Sequence, residues 1–200
     1  MVSRETFVRV CIGTADRYRD IEPEIAHAIR RHASKPVEIV WMRAGENGLK
    51  PTGCTGFSMY RYAIPELCGY QGFAIYLDVD MLLVSDIAEL WDYRESGKWV
   101  SLVDGSTEVM VIDCAVRNNI PPIPDLMRLH KSQVRPQLTP RIPLEWNCED
   151  RAPEGAKLIH FTDLKRQPWF TPDRSDSAVE ILRENAASYQ AQRRVGIPTE

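Results

Sequence analysis

Phe73-Ala74-Ile75-Tyr76-Leu77-Asp78-Val79-Asp80-Met81-Leu82-Leu83-Val84 is an apolar run broken only by two acids. Residues 73–77 read as a strand, and Asp78-Val79-Asp80 follows it. In an extended chain, residues i and i+2 point the same way. Asp78 and Asp80 therefore face one point at the carboxyl end of that strand, where open α/β sheets bind ligands. Two close carboxylates repel each other and resist burial. A hard divalent cation that bridges them to diphosphate oxygens removes both penalties.

Reading outward, residues 7–12 form a short strand closed by a turn at Gly13 and Thr14. Ile21, Ile25, Ala28, Ile29 and Ala33 recur at helical spacing, which predicts an amphipathic helix to about His32. Ser34, Lys35 and Pro36 break it, and residues 37–42 are a second β-branched run. Strand, helix, strand in that order predicts a parallel sheet with a right-handed crossover. Downstream of the 43–56 loop, Thr55 or Ser58 is positioned to cap a helix carrying Tyr60, Ile64 and Leu67, with Pro65 bending or ending it. Residues 85–91 predict a short helix capped by Ser85 or Asp86, and 99–103 and 109–112 predict two more strands. The stretch 118–143 is Pro-rich and irregular around one helix at 125–130. Residues 157–161 are a last strand. A closing helix starts at Asp173 or Ser175 and carries Val179, Leu182, Ala186 and Tyr189 on one face.

Composition narrows the function classes. A 200-residue chain with 44% hydrophobic and 26% charged residues is an ordinary globular domain, and 1–200 reads as one domain. Net charge −3 does not suit non-specific coating of nucleic acid or anionic membrane. No apolar run approaches the ~18 residues that span a bilayer, and the N-terminus is too polar for a secretory signal. Five cysteines (11, 54, 68, 114 and 148) without any CxxC pair argue against structural zinc and a disulfide framework. They point to a reducing cytoplasm.

Three segments together carry a resemblance: 58–67 (Ser-Met-Tyr-Arg-Tyr-Ala-Ile-Pro-Glu-Leu), 74–82 with its DxD, and 86–91 (Asp-Ile-Ala-Glu-Leu-Trp). They resemble glycosyltransferase family 8 and its close bacterial relatives. Ile12-Gly13-Thr14-Ala15-Asp16-Arg17 is similar to that family's first strand and nucleotide loop. Leu158-Ile159-His160-Phe161-Thr162 with Gln167-Pro168-Trp169 is similar to its C-terminal His…Pro-Trp motif. The resemblance implies an α/β GT-A fold with a mostly parallel central sheet flanked by helices. It also implies metal-dependent, retaining transfer of a hexose from a nucleotide-diphospho-sugar, a UDP-sugar, to a glycan, lipid or protein acceptor. Asp78, Asp80 and His160 would hold Mn²⁺ (or Mg²⁺), with Asp78 also near the ribose. Arg61 would offset phosphate charge. Gly13, Thr14, Asp16 and Arg17 would line the base, with Tyr18 stacking on it. Asp104 resembles the acid that contacts the donor sugar, and Asn147 resembles a family asparagine before the last strand. Trp146 and Trp169 are candidates for sugar stacking or for the core. His27, His32 and His130 read as helix or surface residues.

There are also departures. Gln167 stands where the family often has a phosphate-binding lysine, with Lys165 and Arg166 just upstream as substitute cations. The acidic-Gln-acidic segment that positions the donor sugar is missing, as is the Asn-x-Gly stretch, near whose place stands Glu108-Val109-Met110-Val111. Two other readings follow: a GT-A-like module that binds a nucleotide sugar without transferring it, and a DxD phosphohydrolase of the haloacid dehalogenase type with Asp78 as nucleophile.

Overall fold

The computed structural model describes residues 7–116, 119–134, 138–171 and 173–195. Strand β1 (Val8–Gly13) leads through a 3-10 turn at Asp16–Tyr18 into α1 (Glu22–His32) and β2 (Val37–Met42). A second 3-10 turn, Tyr60–Tyr62, precedes α2 (Ile64–Leu67), β3 (Phe73–Asp78), β4 (Met81–Leu83) and α3 (Ile87–Trp91). Next come β5 (Val100–Val103), β6 (Ser106–Asp113), α4 (Ile123–Leu126), β7 (Leu138–Ile142), β8 (Cys148–Glu149), β9 (Leu158–His160) and α5 (Ser177–Arg194).

Six strands form one sheet in the order β2-β1-β3-β6-β5-β7. β1 is parallel to both β2 and β3, and β5 is parallel to β7, while β6 runs antiparallel to β3 and β5. One strand is thus reversed in an otherwise parallel sheet, in line with the mostly parallel order expected. The centre of the sheet is where the apolar runs lie: Val8, Val10, Ile12, Ala74, Ile75, Tyr76 and Leu77 are all buried. Strands covered on both faces read as near-continuous hydrophobic stretches, which is why β1 and β3 are legible. Pro23 enters α1 in its first turn, where a missing N–H costs nothing, and Ile25, Ala28 and Ile29 form its buried face.

The chain leaves β1 to build β2 on one side and returns as β3 on the other. This reversal opens a crevice outside the carboxyl ends of β1 and β3. Gly13 and Asp78 end those strands as register partners, so they stand side by side at its floor. A second sheet, β4-β9-β8, closes the other wall. In it Met81 pairs with His160, which brings the penultimate element of the chain back to the DxD turn.

Several local expectations are corrected. The helix expected over Tyr60–Leu67 is a 3-10 turn followed by α2, and Pro65 opens α2 instead of ending it. Thr55 and Ser58 cap nothing; their hydroxyls bond each other at 3.1 Å. Asp86 caps α3 as expected, whereas α5 is capped by Asp176 and not by Asp173 or Ser175. Within the Pro-rich stretch, residues 118 and 135–137 lie outside the described residues. Its helix is Ile123–Leu126, and β7 adds a regular edge strand. Among the described residues no helix is long and apolar enough to cross a membrane.

Candidate metal centre

Alternation along β3 places Tyr76 on the same side as Asp78, and the Tyr76 hydroxyl donates to Asp78 Oδ1 at 2.5 Å. Gly13 makes room for this contact. A Cβ there would sit 2.4 Å from the Tyr76 hydroxyl oxygen. From the 3-10 turn, Arg61 reaches the same carboxylate with Nη2 at 2.9 and 3.1 Å from its two oxygens. Arg61 Nη1 donates to Thr107 at 2.9 Å and lies 3.9 Å from Glu108. Both members of the Arg61–Asp78 pair are buried. Burial pushes the Asp78 carboxyl up to about 6, and the Arg61 charge restrains that rise.

Asp80 lies two residues on, in the turn between β3 and β4, and is buried. Its Oδ2 accepts from Gln167 Nε2 at 2.9 Å. Its Oδ1 has no hydrogen-bond partner among the described residues, yet His160 Nε2 is 3.4 Å away. The His160 ring is oriented from behind: Nδ1–H donates to Asn147 Oδ1 at 2.9 Å. The amide of Asn147 is itself fixed, since Nδ2 donates to Ser106 Oγ at 3.3 Å. In neutral His160 the Nε2 lone pair therefore faces a bare carboxylate oxygen. Two acceptors facing each other in a buried site are repulsive unless a proton or a cation lies between them. Burial alone would lower the His160 imidazole, but Asp80, Asp78 and Glu108 outweigh it and hold it above its usual range.

Asp78, Asp80 and His160 each offer one atom, all within 4.8 Å of one another, and all three residues are buried. Two carboxylates and an imidazole suit Mn²⁺ or Mg²⁺ with coordination positions left over. The bare Asp80 oxygen and the outward-tied Nδ1 are what a divalent cation needs. The residues present thus fit the implied metal.

The other residues named from the sequence are distributed differently. Thr14 is buried, and its hydroxyl donates to Glu22 at 2.9 Å, joining β1 to α1. Asp16 is exposed and pairs with Arg19 at 3.4 Å. Arg17 lies over the Tyr18 ring and donates to its hydroxyl at 2.8 Å. Tyr18 is fully buried, edge-on to Phe57 and Trp169, so its ring offers no open face for a base to stack on. Lys165 is exposed on the loop before Gln167. Asp104 is exposed in the β5–β6 turn with φ of 29°. It lines a cavity of about 430 Å³ with Ser106, Glu145, Asn147 and Arg151, and none of Asp78, Asp80 and His160 lines that cavity. Trp146 is core. Trp169 packs among Tyr18, Phe161 and Phe170. His27 and His32 lie on α1, His27 buried against Ser188 and Tyr189.

Sequence reading missed three supporting groups: Tyr76, Thr107 and the bonding role of Gln167. Tyr76 was findable from strand alternation alone. A second cavity of about 250 Å³ opens over Arg61, Asp78, Thr107 and Glu108, with His130 and Lys131 on its far wall.

No model of a known protein family matches the chain. Among curated proteins, Protein CDI of Arabidopsis thaliana is 24% identical over 213 residues, covering 81% of this chain and 79% of that protein. Solved structures that resemble it include several glycosyltransferases. The galactosyltransferase LgtC, in complex with donor and acceptor sugar analogues, superposes with a TM-score of 0.64 at 13% identity, covering 90% of this chain and 96% of LgtC. The glycosyltransferase GlyE of Streptococcus pneumoniae TIGR4 gives 0.60 at 11% identity over 95% of this chain, which spans 65% of the GlyE chain. The bifunctional glycosyltransferase WbbM gives 0.58 at 15% identity over 82% of this chain and 47% of its own. The fold is therefore GT-A, as the resemblance implied.

Proposed function

We propose that this chain is a single-domain, metal-dependent, retaining glycosyltransferase of the family 8 type. It would act in the cytoplasm, moving a hexose from a UDP-sugar to a glycan, lipid or protein acceptor. The observation that carries this reading is the buried Asp78–Asp80–His160 cluster, with its bare Asp80 oxygen, at the carboxyl end of β3 in a GT-A fold. The described cysteines are all free, which suits a reducing compartment.

Asp78, Asp80 and His160 would hold Mn²⁺ or Mg²⁺, which when bound supplies Lewis-acid stabilisation of the leaving diphosphate. The chain's own residues do the rest by positioning. Arg61 and Tyr76 hold Asp78 in one orientation and Asn147 holds His160. The exposed segment around Asp16, Arg17 and Lys165 would meet the nucleotide, and the cavity over Arg61 and Glu108 would take the sugar. Asp104 and the larger cavity beside it would face donor sugar or acceptor. Asp78 is a poor nucleophile for the phosphohydrolase reading, because both its oxygens are engaged by Arg61 and Tyr76.

Calorimetric titration with UDP, with and without Mn²⁺, tests this reading beside Asp80→Ala. Binding that needs both metal and Asp80 supports the donor site. Metal-independent binding rejects the metal assignment, and no UDP binding under any condition rejects the donor. A protein that binds UDP-hexose but never releases its sugar is the binding module instead.

A further inference from the structure

Gln167 stands where the family resemblance offers a phosphate-binding lysine, and it is fully buried instead of facing a ligand (0% exposed). Its Nε2 donates to Asp80 Oδ2 at 2.9 Å and to the Phe161 carbonyl at 2.8 Å. Its Oε1 accepts from the Tyr18 hydroxyl at 2.9 Å, and that hydroxyl accepts from Arg17 Nη2 at 2.8 Å. The amide cannot be turned over, since that would set its oxygen against a carboxylate and a carbonyl. Backbone contacts brace the same point: the Phe161 N–H donates to the Asp80 carbonyl at 2.9 Å.

We propose that Gln167 is a positioning residue of the metal centre: it grips one oxygen of Asp80 so that the other stays bare and aimed at His160 and Asp78. This rests on the metal reading above. A carboxamide does the work without cancelling charge. A lysine in the same place would put a full positive charge within hydrogen-bond distance of Asp80 and compete with the cation for it. Tyr18 belongs to the same device, since its hydroxyl holds the far end of the Gln167 amide. That use explains why this ring is buried, and it leaves the base to other groups.

The test is Mn²⁺ binding without nucleotide, read from the electron paramagnetic resonance of the free aqua ion, on wild type, Asp80→Asn, Gln167→Met and Gln167→Lys. Loss of an outer partner of a metal ligand typically weakens metal affinity about 10–100-fold. Gln167→Met should fall in that range. Its bound-Mn²⁺ spectrum should broaden, because the carboxylate is no longer held in one orientation. Gln167→Lys should bind more weakly still, although lysine often stands there in the family that the chain resembles. Wild-type affinity in folded Gln167→Met and Gln167→Lys, with binding lost in Asp80→Asn, overturns the positioning role and leaves the metal reading intact. A wild type that binds no Mn²⁺ overturns both. Should neither 167 variant fold, as judged by circular dichroism, Tyr18→Phe decides in their place. Several-fold weaker binding supports the proposal, and unchanged binding overturns it.

Discussion

Arg61→Met would strip a guanidinium from a buried carboxylate while keeping most of the side-chain stem. In the intact protein Arg61 and Asp78 are 5% and 6% exposed, and Nη2 bonds both carboxylate oxygens. Removing one member of such a pair leaves an uncompensated buried charge and costs about 3–5 kcal/mol. A chain of this size loses about 2–4 °C of melting temperature per kcal/mol, so the expected fall is about 6–20 °C. Calorimetric melting in the presence of a chelator measures it. Two controls make the cause specific. Arg61→Met combined with Asp78→Leu removes both charges and should recover most of the loss, because a well-packed apolar pair replaces a buried ion pair at little cost. Added Mn²⁺ should narrow the gap between Arg61→Met and wild type, since a cation on Asp78 takes over the missing compensation. A fall under about 2 °C in chelator, or a double variant as unstable as the single, would refute the argument that the pair is electrostatically interdependent.

Asn147→Leu should lower Mn²⁺ affinity about 10–100-fold by freeing the His160 ring, and it leaves the buried His160 Nδ1–H without its acceptor, at about 1–3 kcal/mol of stability; titration of the folded variant with Mn²⁺ checks it, and unchanged affinity contradicts it. Gly13→Ala forces a methyl to 2.4 Å from the Tyr76 hydroxyl, an overpacking worth about 1–3 kcal/mol. Urea unfolding should show that loss, with Tyr76→Phe relieving part of it. Burial, with Arg31 adding to it, lowers the His27 imidazole below its ordinary range. The folded state therefore binds this proton less well than the unfolded chain, and the stability His27 allows above about pH 6.5 is lost as pH falls. Replacing His27 by Gln should flatten denaturant midpoints between pH 7 and 5, and an unchanged slope would count against the assignment.

What could be read from the chain follows from how strongly each segment repeats its own pattern. β1, α1, β2 and β3 carry several matched apolar positions each, so their periods declare them. β4 has three residues and β8 two, too few for any period to show, and both are recruited by pairing with β9. The two acids stand out in the sequence because carboxylates in an apolar run are expensive, and the structure brings His160 to within 4.8 Å of them. Thr14 and Tyr18 show partners that the sequence does not announce. Both follow β1 directly, and their hydroxyls are bonded to Glu22 and Gln167. Nothing in a linear spacing says that residue 18 will meet residue 167.

That long reach has a consequence for how the protein comes into being. Every strand of the six-stranded sheet lies before residue 143, yet Asp80 meets its side-chain partners only from residues 160 and 167. Because a domain generally folds as a unit, the turn that carries the two aspartates has its full set of partners only once β9 and Gln167 have joined the fold. Until the small sheet closes, a cation would meet the two aspartates without His160, so the proposed cradle is a property of the completed tertiary structure and not of the β3–β4 turn alone. Under the proposed metal reading, cation binding and closure of the small sheet would be coupled, each favouring the other.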